Sequence, residues 1–463
     1  MGLKKYKTPE FGLMFKSVVG SGAFALPYAM REAGVLGGSI VVLVVAAFSV
    51  ETTKQLIKSA GSASEEYRRR TELDNLKRSE IGFTQVADVA LGKWAWIVSV
   101  SIFAAQFCAV ATYFVFFDTT LSPMLGYLIY GEDRNGPHHV LVRNVLLLVL
   151  VAIQVGLAMA PDPSFLQNTS KFGNIIFMVS LGFIVVFSAW YAPPTLANVH
   201  AFETGNGIVM AFGVTCFTLA APAESLGIYS TASTKGRKKF EEIVNAAYAA
   251  AILLYLFVAV YSYACFGKDT EQIIFTNLTA SHSVLGYLIQ TLMSAMLCCN
   301  FPLSFFPVHQ MVEQTFKLES ETYKPGLGFK VARIGHSTRM DPTERSKLIE
   351  SISSQESQSS AESDDDDGTS ALTTSQIISR TVLVLATGVL AWLAGDKFAM
   401  ISTVGGAFTA VIAFILPPIM NMRLHGGWSA QSWPRIVLNI CIIAVGCWGG
   451  AQSLYDGVKG LMK

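Results

Sequence analysis

The chain has 463 residues, of which 52% are hydrophobic and 14% charged, with a net charge of +1. A soluble chain carries about 25% charged residues. The sequence is therefore that of an all-α polytopic membrane protein with the lipid bilayer as a partner, and its charge balance excludes nucleic acid as a bulk electrostatic target.

Taken in chain order, eleven segments reach the roughly 20 residues that a hydrocarbon core requires. They are 11–31, 38–58, 94–128, 140–160, 172–192, 207–230, 243–266, 284–312, 375–395, 398–422 and 433–455. The third is long enough to tilt or to project. Only Gly395-Asp396-Lys397 separates the ninth from the tenth. The start of the chain has no convincing signal-peptide cleavage region. With the N-terminus cytosolic, 25 of the 34 Lys and Arg fall on the inner side and seven on the outer, as the positive-inside rule requires. Three parts follow: 1–316 with helices one to eight and a cytosolic loop at 59–93, an acidic cytosolic loop at 317–374, and 375–463 with helices nine to eleven.

Within the first loop, Arg68-Arg69-Arg70 is followed by Ile81–Leu91, which predicts a short amphipathic helix on the membrane surface before the interfacial pair Trp94 and Trp96. The Ser-, Glu- and Asp-rich stretch 340–374 ends in Asp364-Asp365-Asp366-Asp367 and cannot bury a core. It is expected to be disordered, either as a solvated spacer or as a docking segment for a regulatory partner. Asn277-Leu278-Thr279 is a glycosylation triplet in an outer loop. All seven cysteines fall in apolar segments and are expected as buried small hydrophobes. Their spacing suggests neither disulfides nor a metal, and no cofactor is expected.

Two spans carry helix breakers. In the first, Gly20, Ser21 and Gly22 precede Pro27. A spanning helix satisfies its own backbone, so breakers at this depth need a reason. One reason is close helix packing through small residues. The other is an interruption whose freed N–H groups, at the positive end of a half-helix, receive a carboxylate. In the sixth span Pro222 removes a backbone donor, and the ionisable Glu224 lies close by. Breaks in spans one and six are where two inverted five-helix repeats would each place one, forming a zwitterion site near the midplane.

Val18-Val19-Gly20-Ser21-Gly22 with Leu26-Pro27-Tyr28-Ala29 and Ala33-Gly34 resembles the first-helix signature of the amino acid/auxin permease family. Phe301-Pro302-Leu303-Ser304-Phe305-Phe306-Pro307-Val308 and Thr403-Val404-Gly405-Gly406 resemble the eighth and tenth helices of its vacuolar and proton-coupled members. Leu226-Gly227-Ile228-Tyr229 is closer to the sodium-coupled neutral branch. The resemblance implies the fold of the bacterial leucine transporter, a five-plus-five inverted repeat with an eleventh helix appended. It implies an amino acid bound between helices one and six and carried by alternating access. Gly20, Ser21 and Gly22 would bind its carboxylate, and Thr215, Leu219 and Ala220 its amino group. Ala220-Ala221-Pro222 departs from the acidic residue that proton-coupled members often place before the sixth-helix break.

Lys16 lies one turn before Gly20 and is the candidate for ion coupling, since a buried amine can carry a proton or stand where a sodium ion would. Snorkelling to the interface is its structural alternative. Phe24, Phe212 and Phe217 make an apolar wall that favours neutral substrates, whereas Glu224 would select a cationic one. The expected function is secondary amino acid transport, coupled to H+ and favouring neutral substrates. Cationic transport, sodium coupling and amino-acid sensing are the alternatives. The spans hold no catalytic cluster that would suggest an enzyme. Asp118 and His309 are expected at the interface, and Arg380 at the interface or paired inside the protein. A plasma membrane and an acidic vacuole or lysosome give the same topology.

Overall fold

The computed structural model describes residues 9–71, 82–131, 136–159, 164–191, 193–195, 199–203, 205, 207–219, 222–279, 284–316, 372–427 and 431–462. The chain starts with α1 (Pro9–Val18), a 3-10 turn (Ser21–Ala25), α2 (Leu26–Ala33) and α3 (Val35–Thr71). It continues through α4 (Phe83–Leu91), α5 (Trp96–Tyr130), α6 (His139–Ala158) and α7 (Ser164–Tyr191). Next come α8 (Gly207–Leu219), α9 (Pro222–Thr231), α10 (Thr234–Lys238), α11 (Phe240–Phe266), α12 (Ile274–Thr279) and α13 (Val284–Thr315). The last part is α14 (Thr374–Ala394), α15 (Phe398–Ala410), a π-helical turn (Val411–Ile415), α16 (Leu416–Leu424) and α17 (Trp433–Met462). Among the described residues nine helical segments are long and apolar enough to cross a membrane, and α1 with α2 makes a tenth, bent by 41°. Within α7 the apolar stretch is shorter, Ile175–Trp190.

Two groups of helices meet across α15. On one side α2 packs against α8, α11 and α3, while α1 packs against α11 and α9. On the other, α5 packs against α13, α6 and α14. α15 touches both α8 and α5. Lipid offers little hydrophobic drive between helices, so close van der Waals contact has to supply it. Gly406 on α15 does this: a Cβ there would strike the backbone of Gly213 on α8. Large side chains such as Leu148, Val186, Trp190 and Leu253 remain exposed on the outer surface, where the bilayer takes the place of a protein core.

The structure corrects four expectations. α3 does not stop near residue 58 but runs on to Thr71, because Ala60 and Ala63 are buried in a cluster with Phe83 and Val86 of α4. For the same reason α4, expected on the membrane surface, is packed into the protein against α3 and α16. Cys108, Cys216 and Cys265 are buried as expected, but Cys441 and Cys447 lie on the exposed face of α17. Asp118 and His309, expected to reach out at the interface, are instead buried within the protein, Asp118 paired with Arg143 and His309 hydrogen-bonded to Glu313. Most of the acidic loop, 317–371, lies outside the described residues, and α14 begins just after it. Thr373 caps α14 there through a reciprocal bond pair with Gln376.

Candidate substrate site at the interrupted first span

The first span is interrupted where its glycines stand. Gly20 is extended (φ −127°, ψ −179°), and the turn that follows starts its own hydrogen bonds with Ala23 N–H to Gly20 O at 3.1 Å. The N–H groups of Ser21 and Gly22 are therefore left without an intrahelical acceptor. Pro27 comes at the start of α2, where its missing donor costs nothing. Gly20 N–H donates to Tyr255 Oη of α11 at 2.9 Å, and Tyr255 O–H donates to Val18 O at 3.2 Å. Tyr255 was missed in the sequence, because it is one of several tyrosines in an apolar helix and nothing in its spacing marks it.

Gly22 lies directly against Thr218 of α8, and any Cβ at this position would strike that hydroxyl side chain. Thr218 O–H donates to Val214 O at 2.7 Å within its own helix. Thr215 is fully buried, and its Oγ1 has no hydrogen-bond partner among the described residues. Leu219 is fully buried at the end of α8. Ala220, at the junction of α8 and α9, lies outside the described residues. Phe217 is half-buried, with its ring over Gly405. Phe24 points away into an aromatic cluster, 4.9 Å from Phe275 and 5.2 Å from Phe177 between ring centroids. Glu224 is exposed in the first turn of α9, where the helix dipole favours a carboxylate. Lys16 is half-buried in the last turn of α1. The structure thus brings the turn that starts at Ser21 to α8, with Gly22 against Thr218, while Gly20 is bonded to Tyr255 of α11.

Beyond this site a cavity of about 390 Å³ opens at the ends of α2, α8, α15 and α17, lined among others by Arg31, Glu32, Met210, Thr403 and Asp456. Met210 is ten residues before the α8–α9 junction, so the cavity lies roughly 15 Å from it along the helix. At the opposite end of the first span, buried Glu10 accepts from Ser233 Oγ at 2.7 Å and Ser233 N–H at 3.2 Å. Away from the interruption sits a buried ionic cluster. Glu313 Oε1 is 3.1 Å from His309 Nδ1 and 2.8 Å from Arg380 Nε, and Arg380 also donates to Ala158 O at 3.1 Å. Asp118 pairs with Arg143 at 2.8 Å.

The family model described as transmembrane amino acid transporter protein matches residues 10–458. The chain belongs to this family. It is an integral membrane amino acid transporter. Amino acid transporter ANT1 of Arabidopsis thaliana is 24% identical over 456 residues, covering 97% of this chain and 91% of the relative. Amino acid transporter AVT3C of the same plant is 26% identical over 473 residues, covering 98% and 91%. Among solved structures, the inward-facing conformation of Mhp1 matches the transporter with a TM-score of 0.48 and 13% identity, over 98% of this chain and 90% of that one.

Proposed function

We propose that the transporter binds its amino acid at the interruption of the first span, between Gly20-Ser21-Gly22 and the α8–α9 junction. The observation that carries this reading is the break itself: Ser21 and Gly22 open a new 3-10 turn, whose first N–H groups have no acceptor within that turn, and Gly22 lies against Thr218 of α8. A substrate carboxylate fits there because backbone N–H groups and the helix dipole both favour an anion. The buried, unpartnered hydroxyl of Thr215 and the carbonyls at the end of α8 would take the amino group. Phe217 and Leu219 supply apolar surface, which favours a neutral side chain. In this reading the fold is an inverted five-plus-five repeat with an eleventh span, with the N-terminus cytosolic. The cavity near Arg31 and Asp456 is then the approach from the outer or luminal side.

Coupling is assigned to H+, with Lys16 as the group that carries the charge. It lies one turn before Gly20, so its charge acts on the end of α1 that the substrate would touch. The test is uptake of a labelled amino-acid mixture by the purified full chain in liposomes, with and without an imposed pH gradient. Gradient-stimulated uptake is the expected result, and the same run identifies the substrate. Uptake that follows sodium and ignores pH would overturn the assignment to Lys16. Binding without uptake or counterflow would favour a sensor.

A further inference from the structure

The interruption of the first span frees an acceptor before Val19 and a donor after it. In a continuous helix Gly20 N–H would donate to Lys16 O, and Val18 O would accept from Gly22 N–H. Here one hydroxyl does both jobs. Tyr255 Oη accepts from Gly20 N–H at 2.9 Å, and its O–H donates to Val18 O at 3.2 Å. The ring is 1% exposed and held on a helix that packs along both α1 and α2, so the hydroxyl is aimed at the interruption from a fixed position.

We propose that the Tyr255 hydroxyl is a stand-in for the head group of the substrate in the empty transporter. It accepts from Gly20 N–H, the first of the Gly20-Ser21-Gly22 donors that would meet the carboxylate, and donates to Val18 O, an acceptor that the ammonium would share with the end of α8, and it is displaced when the amino acid binds. This rests on the interruption being the substrate site. An N–H bond to a carboxylate is charge-assisted and roughly twice as strong as one to a neutral hydroxyl, so the exchange favours the substrate. When the site empties, the hydroxyl returns, and neither the half-buried Gly20 N–H nor the buried Val18 O is left unpaired. Tyr255 is thus a positioning residue for one half of the cycle. Net uptake passes through the empty state on every turn. Exchange of internal for external amino acid empties the site only briefly at each face, and the carrier reorients loaded in both directions.

The experiment compares the wild type with Tyr255→Phe, both as full chains in liposomes, using an equimolar labelled mixture of neutral L-amino acids. In Tyr255→Phe the empty state loses its stand-in. Exchange is expected to stay within about twofold of the wild type while net uptake falls about tenfold, the scale of one lost buried hydrogen-bond partner. The concentration for half-saturation of exchange is expected to fall as well, because the substrate no longer has a competitor. A thermal melt adds an independent readout. Empty Tyr255→Phe melts below the wild type, and the amino-acid mixture raises its melting temperature by more than it raises that of the wild type. Exchange and net uptake falling together would mean a merely structural tyrosine and would overturn the proposal. So would unchanged net uptake, or an equal ligand-induced shift in both proteins. Failure of the substrate-site reading shows separately, as full uptake by Gly22→Val in the same vesicles.

Discussion

The interrupted first span and the α13–α14 cluster handle buried polarity in opposite ways. In the cluster both oxygens of the carboxylate are claimed. Glu313 Oε1 takes His309 and Arg380, its Oε2 takes Gln376 at 3.4 Å, and Arg380 turns its remaining reach to Ala158 O. At the interruption no charge is buried between the glycines, and the backbone itself supplies the polarity. Gly20 N–H and Val18 O depend on one tyrosine, while the N–H groups of Ser21 and Gly22 have no helical acceptor. A saturated cluster has no reason to exchange partners and acts as a rivet between α13, α14 and the end of α6. An unsaturated one is ready for a ligand. If the substrate binds as proposed, the location of charge in this membrane protein is a poor guide to its site, and the location of interrupted backbone is a better one.

The sharpest way to break this contrast is Gly22→Val. Its side chain would occupy the Thr218 hydroxyl position, so the turn and α8 must separate. Labelled amino-acid uptake in liposomes should fall to background, with the protein still folded by size-exclusion chromatography and by its melt. Next in size is Glu313→Ala. It leaves Arg380 buried, 5% exposed, without its carboxylate. Breaking such a pair costs about 3–5 kcal/mol. The loss should appear as a lower melting temperature in detergent, while the uptake of each surviving folded molecule keeps its half-saturation concentration. A changed substrate preference in Glu313→Ala would mean that the cluster belongs to the site after all. Smaller again is Lys16→Met, which keeps the length of the side chain and removes its charge. Stimulation of uptake by a pH gradient should be lost, roughly tenfold, while exchange without a gradient persists. If the gradient still drives Lys16→Met, the coupling lies elsewhere.

How much of this was legible in the sequence follows from what each feature depends on. The interruption was legible because Gly20, Gly22 and Pro27 act locally, on the dihedral angles and donors of their own turn. Most of the spans were legible because hydropathy reports bilayer thickness directly: of the eleven expected, nine stand as helical segments among the described residues and the bent first pair makes a tenth. That same measure misplaced the end of α3, which leaves the apolar run near residue 58 and stays helical to Thr71 for reasons of packing on α4. The Glu313–Arg380 pair was not legible. Its partners are 67 residues apart, with the acidic loop between them, and periodicity carries no information across such a gap. Tyr255 failed for another reason: the value of a hydroxyl depends on what stands opposite it, 235 residues earlier at Gly20. Phe24 was expected to line the substrate and instead fills the aromatic cluster with Phe116, Phe177 and Phe275. Proximity to a break in sequence does not say which way a side chain turns.

The smallest effect is expected at the far end of α1. Glu10 holds Ser233 through two bonds to one carboxylate oxygen, and Ser233 Oγ in turn accepts from Gly236 N–H at 3.1 Å to cap α10. The start of the first half-helix is thus tied to the corner that leads from α9 into α11. Were the interruption to open by alternating access, as the family resemblance implies, α1 would move relative to that corner, because α1 ends at the interruption. Glu10→Gln keeps the size of the side chain and one acceptor oxygen but removes the charge. A hydrogen bond to a charged group exceeds a neutral one by roughly 1 kcal/mol, a factor of about five in an equilibrium. Met14 is a fully buried residue of α1 itself, so a Met14→Cys probe in a cysteine-free chain reports the release of that helix. Its labelling by a polar maleimide should rise about fivefold when Glu10→Gln is added. An unchanged labelling rate would show that α1 is held by its packing on α11 and α9 alone, and that the bond to Ser233 takes no part in the motion.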